Sequence, residues 1–171
     1  MKKMLLPLLA ALTILLVSTA AAAAYTDVPE NSWARESVEK AQEYGLMEGI
    51  GGGAFGYGER ISREQFFTLL VRMFGWEETD GEDAAIDIAD SWARGYINTA
   101  AANGVFDAGG KFRPQEDITR REMAVMLVRA LGLGELAKAD ASAELPFTDV
   151  TEQRGYIAIA YEIGMTTGTT D

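Results

Sequence analysis

A chain of 171 residues with 26 acidic against 15 basic side chains, and neither cysteine nor histidine, is barred from several chemistries at once. Disulfides, thiolate nucleophiles, Cys/His zinc centres and Ser-His triads are impossible. A net charge of −11 opposes binding to nucleic acid or to anionic lipid surfaces, both of which recruit Lys and Arg.

The chain opens with Lys2 and Lys3, an apolar stretch from Met4 to Val17, then Ser18, Thr19 and the alanines Ala20 to Ala24. That order describes a secretory signal peptide over residues 1–24, cut at the small residues. An uncleaved anchor needs about 20 apolar residues, and the Ala-x-Ala pattern favours cleavage. No later stretch reaches that length, so the remainder is expected to be soluble, without a membrane partner. The missing cysteine also excludes a lipoprotein anchor.

Past residue 24 the sequence repeats itself at a shift of 57 to 60 residues. Trp33-Ala34-Arg35 matches Trp92-Ala93-Arg94, Phe55 matches Phe112, and Leu70-Val71-Arg72 matches Leu127-Val128-Arg129. Phe147-Thr148-Asp149-Val150 echoes Tyr25-Thr26-Asp27-Val28 and starts a third copy. A period of this size means supersecondary units that bury a core only against one another. The boundaries are read as residues 25–79, 80–134, a linker at 135–146, and a partial third repeat at 147–171.

Each repeat reads as two helices, and the fold class as all-α. Ala34, Val38 and Ala41 lie at helical spacing before Gly45; Ile97, Ala100 and Ala101 before Gly104; Ile157, Ala160 and Ile163 before Gly164. The second helix runs from Ser62 to about Phe74, with a stripe of Phe66, Leu69, Leu70 and Met73. Its copy runs from Thr119 to about Leu131, with Met123, Met126, Leu127 and Ala130. Gly75 and Gly132 stand in C-cap position. Ser62 with Gln65, and Thr119 with Glu122, form capping boxes.

Capping does not explain Arg63 and Arg120 in the first helical turn, where a cation is disfavoured by ~0.3–1 kcal/mol. Arginine beside free helix amides makes a site for a carboxylate or phosphate. The alternative is an ordinary surface pair, Arg63 with Glu59 or Glu64 and Arg120 with Glu116 or Asp117; from spacing alone that alternative ranks first.

The aromatic-Thr-Asp-Val opening, Trp-Ala, the glycine after the first helix, the loop Phe and the Thr-Arg-x-Glu phrase together resemble the S-layer homology (SLH) domain, over residues 25–171. The resemblance implies a pseudo-threefold helical bundle and a non-catalytic module that anchors exported proteins at the bacterial cell wall. Its partner would be a secondary cell wall polysaccharide bearing pyruvate ketals, with no cofactor and no metal. It assigns polysaccharide contacts to Arg63 and Arg120, to Asp27, Trp33 and Trp92, and to Asp149. Trp33 and Trp92 read equally well as core anchors. Asp87 is a weak counterpart of Asp27, because Ile86-Asp87-Ile88 keeps little of the motif. The sequence departs from the family at Gln65, where Glu is usual, at Glu152, where Trp is usual, and at Asp171, before any third arginine motif. This predicts a fragment of a longer protein, or a chain completed by another. A surface-lattice interaction module, or the anchoring end of an exported enzyme, are the rival readings.

Other signals are set aside. Gly51-Gly52-Gly53-Ala54-Phe55-Gly56 fits Gly-x-Gly-x-x-Gly but lacks the strand before it that a dinucleotide site needs. The acidic run from Glu77 to Asp90 lacks calcium-loop spacing and reads as a solvated linker. No carboxylate pair is singled out for glycoside hydrolysis.

Overall fold

A computed structural model describes residues 25–168; the expectation for residues 1–24 lies outside them. The described residues form six helices: α1 (Arg35–Glu43), α2 (Arg63–Phe74), α3 (Arg94–Ala102), α4 (Arg120–Ala130), α5 (Gly134–Ala139) and α6 (Arg154–Glu162). The fold is all-α, with only isolated bridges, Gly51 with Ala54 and Ser62 with Asp117. Among these residues no helix is long and apolar enough to cross a membrane.

Both capping boxes form. Ser62 accepts from the Gln65 amide and Thr119 from the Glu122 amide, while each N3 side chain returns to the cap amide. Gly75 closes α2 in the left-handed conformation at φ 64°. The first helices begin without side-chain caps and take their stability from packing.

Packing is offset by half a repeat. The second helix of one repeat lies on the first helix of the next: α2 on α3, and α4 on α6. The largest core gathers Phe67, Leu70, Val71, Ile88, Ile97, Val105 and Phe112. Phe67, Phe106 and Phe112 meet edge-on or tilted at centroid distances of 5.5, 4.7 and 5.2 Å. Each fully buried Phe contributes roughly 1.5–3 kcal/mol relative to exposure.

A second core joins Val128, Ala137, Ile159 and Ala160. A smaller one under α1 holds Val28, Ala34 and Val38 with Tyr25 and Phe55.

This offset corrects the expected stripes. In α2 the deep positions are Phe66, Phe67, Leu70 and Val71, while Met73 is 47 % exposed. In α4 Met123, Met126, Leu127 and Ala130 face the Phe67 core from its edge, whereas Val128 is buried against α6. A helix wedged between two cores is apolar on two faces, which a one-face reading misses.

The stretch read as a linker at 135–146 contains most of α5, which packs on α6. A side chain at Gly155 would collide with the Ala137 carbonyl and come within 2.7 Å of the Asp140 carbonyl, so only glycine lets α5 approach this closely. The earlier connection is tied down by polar contacts instead. Thr79 N–H donates to Thr99 Oγ1 at 2.9 Å and Ala84 N–H to Asn98 Oδ1 at 2.9 Å, and Arg94 pairs with Asp83. The acidic run is thus partly anchored rather than freely solvated.

Candidate functional site

The two arginines of the repeated phrase sit in different surroundings. Arg63 is 6 % exposed. Its Nη1 donates to Glu122 Oε1 at 2.6 Å and its Nε to the Phe112 carbonyl at 2.6 Å. The guanidinium also lies over the Phe112 ring, 5.0 Å from the centroid.

The partner is therefore neither Glu59 nor Glu64 but the capping glutamate of the next repeat. Nor are the amides at this helix end free: Arg63 N–H donates to the Glu116 carbonyl and Glu64 N–H to the Pro114 carbonyl, both at 2.9 Å. Burial pushes the Arg63 pKa down, against the pull of the Glu122 charge.

Arg120, one repeat later, is exposed and forms no ion pair among the described residues. Glu116 and Asp117, its expected partners, are taken by Arg113 and Arg60, each at 3.1 Å. The amides of Arg120 and Arg121 have no backbone acceptor among the described residues, unlike their α2 counterparts. Arg120 and Arg121 line one wall of a cleft of about 450 Å³, with Phe147, Asp149 and Ile157 on the other side. Asp149 is exposed there, so the structure brings Arg120 and Asp149 into one cleft and leaves Arg63 out of it.

Asp27 ties a loop. Its carboxylate accepts from Phe55, Gly56 and Tyr57 amides at 2.7, 2.7 and 2.9 Å. The Phe55 and Tyr57 amides, chiefly, hold its pKa below the ordinary value.

Asp87, the weak counterpart by sequence, does the same for Phe112 and Arg113 at 2.7 and 3.0 Å. Desolvation would raise its pKa, but these hydrogen bonds outweigh it and the net shift is downward. Arg113 takes φ 60° there, in the slot where repeat one has Gly56 at φ 89°. The Asp keeps its structural contact although its flanking residues have changed.

The tryptophans are not core anchors. Trp33 is 88 % and Trp92 61 % exposed. Trp92 closes a groove of about 350 Å³ whose other wall comes from repeat one, including Arg60, Gln65, Thr68 and Arg72. Arg72 is held by Glu48 at 3.2 Å and lies over the Tyr96 ring at 5.4 Å.

Sequence reasoning missed Arg60 and Arg72 in this groove, and missed the arginine after Trp-Ala. Arg35 donates to the Val28 carbonyl, and Arg154 to those of Ala143 and Val150; Arg94 pairs with Asp83. Its recurrence in all three copies, as Arg35, Arg94 and Arg154, was the available signal. No group of three or more acidic side chains able to hold a metal ion occurs among the described residues.

Comparison with known proteins agrees with this architecture. Residues 24–67 and 86–124 match the S-layer homology domain. The chain is 32 % identical over 142 residues to a surface layer protein of Brevibacillus choshinensis, covering 77 % of this chain and 13 % of that protein. It is 30 % identical over 133 residues to a cellulosome-anchoring protein of Acetivibrio thermocellus, covering 74 % of this chain and 29 % of that one. An endoglucanase of a Bacillus species is 31 % identical over 108 residues, 62 % of this chain and 11 % of the enzyme. The chain thus spans less than a third of each of these relatives.

Proposed function

The chain belongs to the S-layer homology family and its place is the cell wall or cell surface; on that premise we propose that it is a non-catalytic anchoring module that holds an acidic secondary wall polysaccharide, of the pyruvylated kind, in the clefts between its repeats. The observation that carries this reading is the start of α4. There Arg120 is exposed and without an ion pair among the described residues, and the amides of Arg120 and Arg121 have no backbone acceptor, on an otherwise acidic protein. A carboxylate seated there meets both a guanidinium and helix N–H groups. Trp92 and Trp33 offer aromatic faces for sugar rings, while Asp27 and Asp87 fix the loops beside them. Arg63 serves the frame rather than the ligand, and Asp149 shares the Arg120 cleft as a hydroxyl acceptor.

The test is co-sedimentation with purified walls, before and after the secondary polymer is stripped. Wild type should sediment only with unstripped walls. Arg120→Ala should lose most of this binding with its melting temperature unchanged, and Arg120→Lys should recover part of it, since an ammonium cannot make the bidentate contact. Binding that persists in Arg120→Ala, or on stripped walls, would sink the proposal. Two of the relatives are named as an endoglucanase and a cellulosome-anchoring protein, which supports a role as the anchoring part of a longer protein.

A further inference from the structure

The buried surroundings of Arg63 have the form of an occupied anion site. One carboxylate oxygen of Glu122 sits 2.6 Å from Nη1, the ring of Phe112 covers the guanidinium, and the amides at the helix end are already satisfied by repeat-two carbonyls. The other oxygen of Glu122 accepts from Thr119 N–H at 2.9 Å and from its hydroxyl at 2.8 Å, so this one carboxylate caps α4 and fills the cationic seat at once. In repeat one the same capping position is Gln65. Gln65 accepts from the Ser62 amide at 2.8 Å but brings no charge. Capping alone therefore does not require a carboxylate at position 122.

We propose that Glu122 is the resident ligand of a carboxylate site centred on Arg63, and that the seat takes up a small free carboxylate once Glu122 is removed. The site lies within the frame, so its existence does not depend on the wall-binding function proposed above. Its consequence for that function is that Glu122 keeps repeat one from competing with Arg120 for the external anion.

The experiment is chemical rescue, read as the melting temperature of the whole protein in sodium acetate against sodium chloride at equal ionic strength. Wild type should show at most the small acetate response of the open Arg120 seat, which serves as the baseline. Glu122→Ala should melt roughly 5–15 °C lower in chloride, as for a broken buried pair in a domain of this size. In acetate it should regain a large part of that loss, increasing with acetate concentration as binding to the native state alone requires. Adding Arg63→Met should bring the acetate response back to the wild-type level.

If Glu122→Ala does not fold in chloride, folding itself becomes the readout. Helical circular dichroism restored by acetate supports the site. A Glu122→Ala response to acetate no larger than that of wild type, or an excess response that survives without Arg63, overturns it. Walls play no part in this measurement, so failure of the wild type to bind walls would overturn the proposed function and leave this inference standing.

Discussion

Arg63 and Arg120 stand at the same place in the same phrase, yet one is a strut and the other an open cation. The difference lies in what the next repeat contributes. Repeat two delivers to α2 a carboxylate, three carbonyl oxygens and an aromatic ring. Across from α4 the described residues deliver Glu152 to Arg121 at 3.5 Å, with Phe147 and Asp149 lining the shared cleft, and no ion pair to Arg120. A residue's role in a repeat protein is therefore set as much by its neighbour's residues as by its own motif.

Removing each arginine in turn separates the two roles. Arg63→Ala should cost about 3–5 kcal/mol, because it leaves Glu122 and the Phe112 carbonyl without their buried partner. Arg120→Ala should stay within about 0.5 kcal/mol of wild type. Urea denaturation of both variants measures this, and a double-mutant cycle on Arg63 and Glu122 should return a coupling that Arg120 and Glu122 lack. Similar costs at the two arginines would mean that the surroundings do not differ as described.

The same comparison can be drawn at the glycines that open α3 and α6. Gly155→Ala should cost about 1–3 kcal/mol by overpacking, since the added carbon meets backbone carbonyls of the α5 segment that cannot swing away. Gly95→Ala should be nearly neutral. There the added carbon meets the end of the Glu78 side chain at 2.5 Å, which is free to rotate, and alanine favours the helix by roughly 0.5–1 kcal/mol. Thermal melts of the two variants decide it, and a costly Gly95→Ala would show that Glu78 is held.

The smallest contrast is between the caps. Thr119→Ala should cost about 1–2 kcal/mol and Ser62→Ala about 0.5–1 kcal/mol. Thr119 serves a helix and also orients Glu122 for Arg63, whereas Ser62 serves its helix alone. Equal costs would separate the cap from the clamp.

Much of this frame was legible in the sequence. The repeat, both capping boxes and the spans of α2 and α4 follow from spacing and helix-end chemistry. What stayed hidden is what needs a second segment in space. Arg63 finds Glu122 rather than a local acid, and no periodicity encodes a partner 59 positions away. Position 87 kept its role because two backbone amides recognise a carboxylate and ignore its neighbours. The stripes on α2 and α4 were misplaced because they presumed one buried face. Trp33 and Trp92 were undecided between core and surface, since an indole suits both, and only their exposure separates the two.

The anchoring role proposed for the chain would place it under load, and the half-repeat offset decides how it would respond. A pull along the chain cannot detach one sequence repeat like a bead from a string, since the helix that closes each seam belongs to the following bead. To free α2, tension must slide it across α3, and Arg63 must be drawn from under Phe112 in the same movement. Stretched at constant speed, such a chain gives way in coupled steps that each engage two repeats, rather than in a sawtooth of single-repeat events.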